Sequence, residues 1–310
     1  MKHAIFAFTT PNLGDEVQAL AQGLVLPSVD AYVDRDRLDR VRLAEPHGVI
    51  MNSWFAVRRH RATPSSSLRP HYFGQCVGRP ELVNEAWLAE WRRHQPIGCR
   101  DTHSVGLLAA QGIEARFTGC LTTFMGRFVA PPRRREGIVL VDVPEAMERH
   151  IPEPVRRRAR RITNVPPARG AGPKARLLQA ARLCDVIRGA EAVVTRRLHT
   201  ALPCVGFGTP VTVYLKDAPT NRARFSGADG FLPIVLHDGE RVPEGRPTWI
   251  EPRPVAVPED MEQPFRELCR HFGTQEAPRF ESVTAFAETL PDLPREPAGL
   301  RARLRRAFGL

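Results

Sequence analysis

Short β-branched apolar runs alternate with segments of helical periodicity along most of this sequence, and that alternation restricts the fold more than any other feature. His3 to Phe8, Ala31 to Val33, Gly48 to Asn52, Pro96 to Cys99 and Ile113 to Phe117 read as strands. Between them, Val17, Leu20, Ala21 and Leu24 mark one helix face, and Pro80 to Trp91 and Thr102 to Ala110 read as further helices. A βαβα order returns the chain to the same end of a sheet after every helix. The expectation is an α/β fold with parallel strands covered by helices.

The rhythm breaks at Pro131-Pro132-Arg133-Arg134-Arg135, a polar, proline-bearing stretch that reads as a linker. It restarts with a strand at Gly137 to Val141, another at Arg160 to Val165, a helix over Lys174 to Arg188, the run Ala192 to Thr195, and Val211 to Leu215. Beyond Leu236 the chain is proline-rich, with helices expected near Glu259 to His271 and Ser282 to Leu290. The expected division is therefore 1–130, 131–250 and a helical extension over 251–310. Two α/β halves joined in this way bind ligands at the carboxyl ends of their strands, in the cleft between them.

Those strand ends carry the polar residues. After Ala192-Val193-Val194-Thr195 come Arg196, Arg197, Leu198 and His199, where Leu198, Ala201 and Leu202 open a helix. The N–H groups there lack partners and the helix dipole is positive, so added arginine and histidine side chains are repelled unless an anion sits opposite them. Asn12-Leu13-Gly14-Asp15 follows the first strand. Asp15 reads as the helix cap, with Gln18 completing a capping-box-like pair, and Asn12 and Asp15 also lie where ligand contacts are expected. Gly98-Cys99-Arg100-Asp101 ends a third strand, with Asp101 a cap for the next helix and Arg100 a second cationic arm. Gly119 to Thr123 adds hydroxyls at the same edge. No GxGxxG or GxxxxGK[ST] loop is present.

The net charge of +11 would suit nucleic acid, an anionic surface or anionic substrates. Only Lys2, Lys174 and Lys216 are lysines among the 45 basic residues, so the basicity reflects an arginine-rich composition across the chain, and no nucleic acid partner is expected. Six scattered cysteines form no CxxC pair, which argues for reduced core thiols, a cytoplasmic protein and no structural zinc. No run approaches a membrane span, and the N-terminus lacks a signal-peptide pattern. The basic tail Leu300 to Phe308 reads as a solvated helix, with weak contact to the inner face of a membrane the alternative.

The segments NLGDEVQALAQ, VDRDRLDRV, MNSWF, PIGCRDTHSVGLLAAQGIEARFTGCLT, LLQAARLCDVIRGAEAVVTRRLHTALPCVGFGTPV and RARFSG occur in this order. Together, over about residues 4 to 230, they resemble the polysaccharide pyruvyl transferase family. The resemblance implies two Rossmann-like domains in a GT-B-type arrangement. It implies transfer of the enolpyruvyl group of phosphoenolpyruvate onto a sugar as a pyruvate ketal, with no cofactor or metal. Arg197 and His199 match the family's R-x-H site. Asn12, Gly14 and Asp15 match an acceptor-side loop, and Arg100 and Asp101 an R-D strand end. Thr195-Arg196 departs from the usual S-x pair before R-L-H, with Thr195 kept among the substrate-binding residues.

The chemistry agrees with the residues. Phosphoenolpyruvate carries a carboxylate and a phosphate, which suit a helix N-terminus and arginine forks. His199 is the expected proton donor, Arg197 the anion clamp, and Asp15 or Asp101 the candidate base. A GT-B glycosyltransferase using a nucleotide sugar and a non-catalytic basic binding protein are the alternatives.

Overall fold

The structure, a computed structural model, describes residues 1–166 and 171–296. The tail from Leu300 to Phe308 lies outside the described residues. In the first half the strands are β1 (Lys2–Ala7), β2 (Ala31–Asp34), β3 (His47–Ile50), β4 (Ser53–Phe55), β5 (Leu68–His71), β6 (Gln75–Val77), β7 (Ile97–Cys99) and β8 (Ala115–Phe117). The helices are α1 (Leu13–Val25), α2 (Glu85–His94) and α3 (Thr102–Ala109). All the strands pair in parallel, as the crossover helices require.

Three local expectations change. The strand expected over Gly48 to Asn52 ends at Ile50, and the chain bends through Met51 and Asn52 into β4. A matching bend between β5 and β6 uses Gly74 at φ +78, where any Cβ would collide with the Asn52 side chain. The helix expected from Pro80 starts only at Glu85, because Asn84 caps it by accepting from the Trp87 N–H at 3.2 Å; Pro80–Leu82 is a separate 3-10 turn. The cap of α1 is Asn12, whose Oδ1 accepts from the Gly14 N–H at 3.2 Å, and not Asp15. Asp15 sits inside the first turn, bonded to the Thr10 hydroxyl, and Gln18 turns instead to Arg100.

The second half contains β9 (Ile138–Val141), α4 (Glu145–Glu148), α5 (Glu153–Arg158), β10 (Ala159–Ile162), α6 (Pro173–Arg188), β11 (Ala192–Thr195), α7 (Leu198–Phe207), β12 (Val211–Lys216), α8 (Pro219–Phe225) and β13 (Ile234–His237). Its parallel sheet has the order β10-β9-β11-β12-β13. The chain thus steps outward from β9 to β10 and then crosses back to β11. A doubly wound sheet with this order has its switch point, and its ligand crevice, beyond the ends of β9 and β11.

Of the remaining elements, α9 (Glu259–Phe272) and β14 (Arg295–Glu296) return to the first half, and α10 (Val283–Thr289) packs chiefly on α6. Phe265 of α9 stacks on Phe124 with centroids 3.9 Å apart, and β14 pairs with the edge strand β2. Asp185 of α6 accepts from the first N–H groups of α10, from Val283 at 3.0 Å and Thr284 at 2.9 Å. One buried apolar cluster runs through both halves, with Phe6, Leu20, Phe124, Leu202 and Val213 among its members. Between the halves, the 3-10 segment Leu121–Arg127 lies so close to α7 that a Cβ on Gly126 would collide with the Gly206 carbonyl. No helix among the described residues is long and apolar enough to cross a membrane. All six cysteines are buried free thiols.

A buried ion pair also ties the halves: Arg176 of α6 donates to Glu16 of α1 and to the Thr10 carbonyl. Burial pushes the Glu16 carboxyl up to about 7 against the pull of that guanidinium. The folded value lies above the unfolded one, so the protonated acid favours folding. That contribution is complete below the unfolded value and is lost as pH rises through the folded one. Arg176→Met removes the compensating charge and lifts the folded value further. Its cost is expected to be smaller near pH 5 and to reach about 3–5 kcal/mol near pH 8. Urea denaturation at both pH values checks this, and an equal cost at both would contradict it.

Candidate active site

At the β9/β11 switch point the sheet ends in two polar residues facing each other. Asp142 follows β9 with φ +52, a conformation few residues other than glycine hold without help. Its Oδ2 accepts from the Asn164 N–H at 3.1 Å and from Arg197 Nε at 2.7 Å. Burial alone would raise its pKa, but hydrogen bonds from Thr163, Asn164 and Arg197 hold the carboxyl below the usual range, so it stays ionised. At the end of β11, Thr195 Oγ1 donates to the Val141 carbonyl at 3.1 Å and accepts from the Arg197 N–H at 3.0 Å. Strand pairing, the threonine and Asp142 together fix Arg197 at the N-cap of α7.

Beyond this junction is a cavity of about 370 Å³ whose wall includes Asn12, Asn164, Arg197, His199, Lys216 and Arg224. Arg196 and His237 also line it. The N-terminus of α1 closes one side. Asn164 accepts from the Leu13 N–H at 2.8 Å through its carbonyl, and its Nδ2 donates to Asn12 Oδ1 at 3.4 Å. Gly14 makes this approach possible, because a Cβ there would stand 3.0 Å from His199 Cβ and 3.2 Å from Asn12 Oδ1. Gly14→Ala is expected to cost about 1–3 kcal/mol of overpacking, against about 1 kcal/mol of helix propensity gained. The displaced His199 should lower kcat/KM more than the net stability change suggests. Urea titration and steady-state kinetics read the two effects, and a Gly14→Ala variant that is both stabilised and fully active would contradict the contact.

His199 is 5% exposed. Arg100 Nη1 lies 3.4 Å from its Nε2; guanidinium only donates, so Nε2 accepts and the ring proton is on Nδ1. Burial, then the charges of Arg100 and Arg224, hold the imidazole well below its ordinary value, and the ring is neutral. Negative charge placed beside the ring would oppose that shift. Arg224, on α8, lies with its guanidinium 4.9 Å from the Trp54 ring centroid, and its Nε has no hydrogen-bond partner.

The eight residues expected to form the site divide clearly. Asn12, Arg197 and His199 line the cavity, and Gly14 packs beneath His199. Arg100 supports His199 from behind. Thr195 is buried and orients Arg197. Asp101 caps α3, its Oδ1 accepting from the Ser104 N–H at 2.8 Å, and is not in the cavity wall. Asp15 is likewise bonded to Thr10 and is not part of that wall. Asp142, Asn164, Arg224, Lys216 and His237 were not singled out from the sequence. For Asp142 the available signal was its place just past an apolar strand, as with the other strand-end residues.

The wall is thus rich in cations, with the positive N-terminus of α7 added to the side chains and one ionised carboxylate already paired. Such an arrangement suits a compact polyanion. The model of the family described as polysaccharide pyruvyl transferase matches residues 59–215, which include Arg100, Asp101, Thr195, Arg197 and His199, while Asn12, Gly14 and Asp15 lie outside the match. No curated protein matches. A crystal structure of a functionally uncharacterised protein, KP1_0663 from Klebsiella pneumoniae subsp. pneumoniae NTUH-K2044, is similar over 72% of this chain and 87% of its own, at 12% identity and a TM-score of 0.43. With its cation-lined junction inside a match that spans half of its length, the chain belongs to the polysaccharide pyruvyl transferase family.

Proposed function

We propose that the protein transfers the enolpyruvyl group of phosphoenolpyruvate onto two hydroxyls of a sugar acceptor, giving a pyruvate ketal and inorganic phosphate. In that reaction two C–O bonds form at C2, the bond from C2 to the phosphate oxygen breaks, and the methylene carbon takes a proton to become a methyl group. The second hydroxyl proton leaves with phosphate. In this reading residues 1–130 and 131–250 act as the two Rossmann-like domains of a GT-B-type enzyme, followed by a C-terminal helical extension over 251–310.

The observation that carries the reading is the cavity wall itself, where Arg197, His199 and Arg224, whose Nε has no hydrogen-bond partner, converge. Arg197, held by Asp142, presents its remaining N–H groups as a fork for phosphate or carboxylate. The donor's negative charge opposes the field of Arg100 and Arg224 and lets His199 take up a proton, which it then delivers to the methylene carbon. Acid catalysis is in this way coupled to donor binding. Calorimetric titration with phosphoenolpyruvate, phosphate, UDP and GDP tests the donor: phosphoenolpyruvate should bind and phosphate should compete with it. Tight UDP or GDP binding with no response to phosphoenolpyruvate would favour a nucleotide-sugar glycosyltransferase instead.

A further inference from the structure

Arg100, whose guanidinium touches His199, also borders a second space of about 10 Å³ that shares Leu198 and Arg224 with the large cavity. Arg100, Thr123, Cys120, Leu198, Arg224 and Met261 are among the residues around it. Arg100 is 3% exposed and Thr123 is fully buried. Arg100 Nε and Nη2, Thr123 Oγ1 and Arg224 Nε have no hydrogen-bond partner. Four unmet polar atoms on residues that line one small space are costly unless something meets them.

The size admits a single water-sized particle and excludes phosphate or a carboxylate. The charge selects among such particles. Two guanidinium groups border the space, and Asp101 Oδ2, 3.8 Å from Arg100 Nε, offsets one of them. Arg224 lies over the Trp54 ring and receives the more distant attraction of Asp15, but no carboxylate pairs with it among the described residues. A neutral water satisfies lone donors but leaves that charge uncompensated in a buried place. We propose that this space is a binding site for a monatomic anion of the halide class, chloride under ordinary conditions, held by Arg100, Arg224 and Thr123.

The site has a consequence for turnover. Arg100 and Arg224 are the two charges that oppose protonation of His199, and an anion between them cancels much of that opposition. Halide is therefore expected to raise turnover wherever protonation of His199 limits it, by about tenfold for each unit of pKa that the anion restores. Halide binding itself is independent of the proposed reaction; only the effect on turnover rests on it.

The test uses the full chain crystallised with bromide as the sole halide, together with kinetics in chloride or gluconate at matched ionic strength. An anomalous bromide peak between Arg100, Arg224 and Thr123 is expected, with turnover rising saturably in chloride. Thr123→Val should raise the chloride concentration needed by about tenfold or more while leaving turnover at saturating chloride unchanged, since it removes one hydrogen bond to an ion. Thr123→Ser, which retains the hydroxyl, should restore the wild-type chloride response. Density for water alone, with no bromide signal, would overturn the site, and chloride-independent turnover with bromide in place would overturn its coupling to His199. Bromide bound in a protein that never consumes phosphoenolpyruvate would leave the site standing and remove the proposed function.

Discussion

His199→Gln is expected to lower turnover by at least about a hundredfold while phosphoenolpyruvate affinity changes by about tenfold or less. Glutamine keeps roughly the length and the hydrogen-bonding ability of the ring, so Arg100 retains an acceptor, but it carries no titratable proton. The pH dependence supplies a second signature. An acid works in its protonated form, so activity falls as pH rises through its pKa. In the free protein, burial and the charges of Arg100 and Arg224 hold His199 well below its ordinary value, so the falling limb of kcat/KM should lie on the acid side of an ordinary histidine. In kcat, which reports the donor complex, the same limb should move to higher pH because the bound phosphate and carboxylate favour the imidazolium. Both limbs should vanish in His199→Gln. Near-normal turnover with weakened donor affinity would show that the histidine only binds the anion.

Arg197→Lys should weaken phosphoenolpyruvate binding by about 1.5–3 kcal/mol although the charge is kept. Lysine replaces a planar fork by a point donor, and it also loses the Nε–H bond at 2.7 Å through which Asp142 aims the guanidinium. Calorimetric titration of the folded variant measures the loss. Unchanged affinity would move the anion clamp to Arg196, which lines the same cavity with its neighbour.

How far the fold was legible depended on element length and on distant partners. The strands that became β1, β2, β9 and β11 are runs of four or more residues that are almost wholly buried, and such runs announce themselves by composition. β4 and β6 have three residues each, and their register comes from the bends at Asn52 and Gly74 and from each other, which no local pattern records. The cap of α1 was misread for a related reason. Asn12 and Asp15 are both capping residues by type, and the choice was made by Asn164, 152 residues beyond Asn12, bonding both Leu13 N–H and Asn12. Arg197 and His199 stood out because their position at a helix start made their charge anomalous. Arg224 did not, since one more arginine in an arginine-rich chain carries no signal until its burial and missing partner are seen. Asp142 was not singled out, because its positive φ and its grip on Arg197 exist only in three dimensions.

Phosphorus NMR of the protein incubated with phosphoenolpyruvate and a pool of glycan and lipid-linked acceptors tests whether the cation-lined cavity performs the proposed enolpyruvyl transfer. The account predicts that the phosphoenolpyruvate signal decays with equimolar growth of inorganic phosphate only when acceptor is present. It also predicts an acid-labile pyruvate ketal on the acceptor, and the loss of all three changes in His199→Gln. Persistence of phosphoenolpyruvate with every acceptor, in a protein that transfers sugar from a nucleotide donor instead, would contradict it.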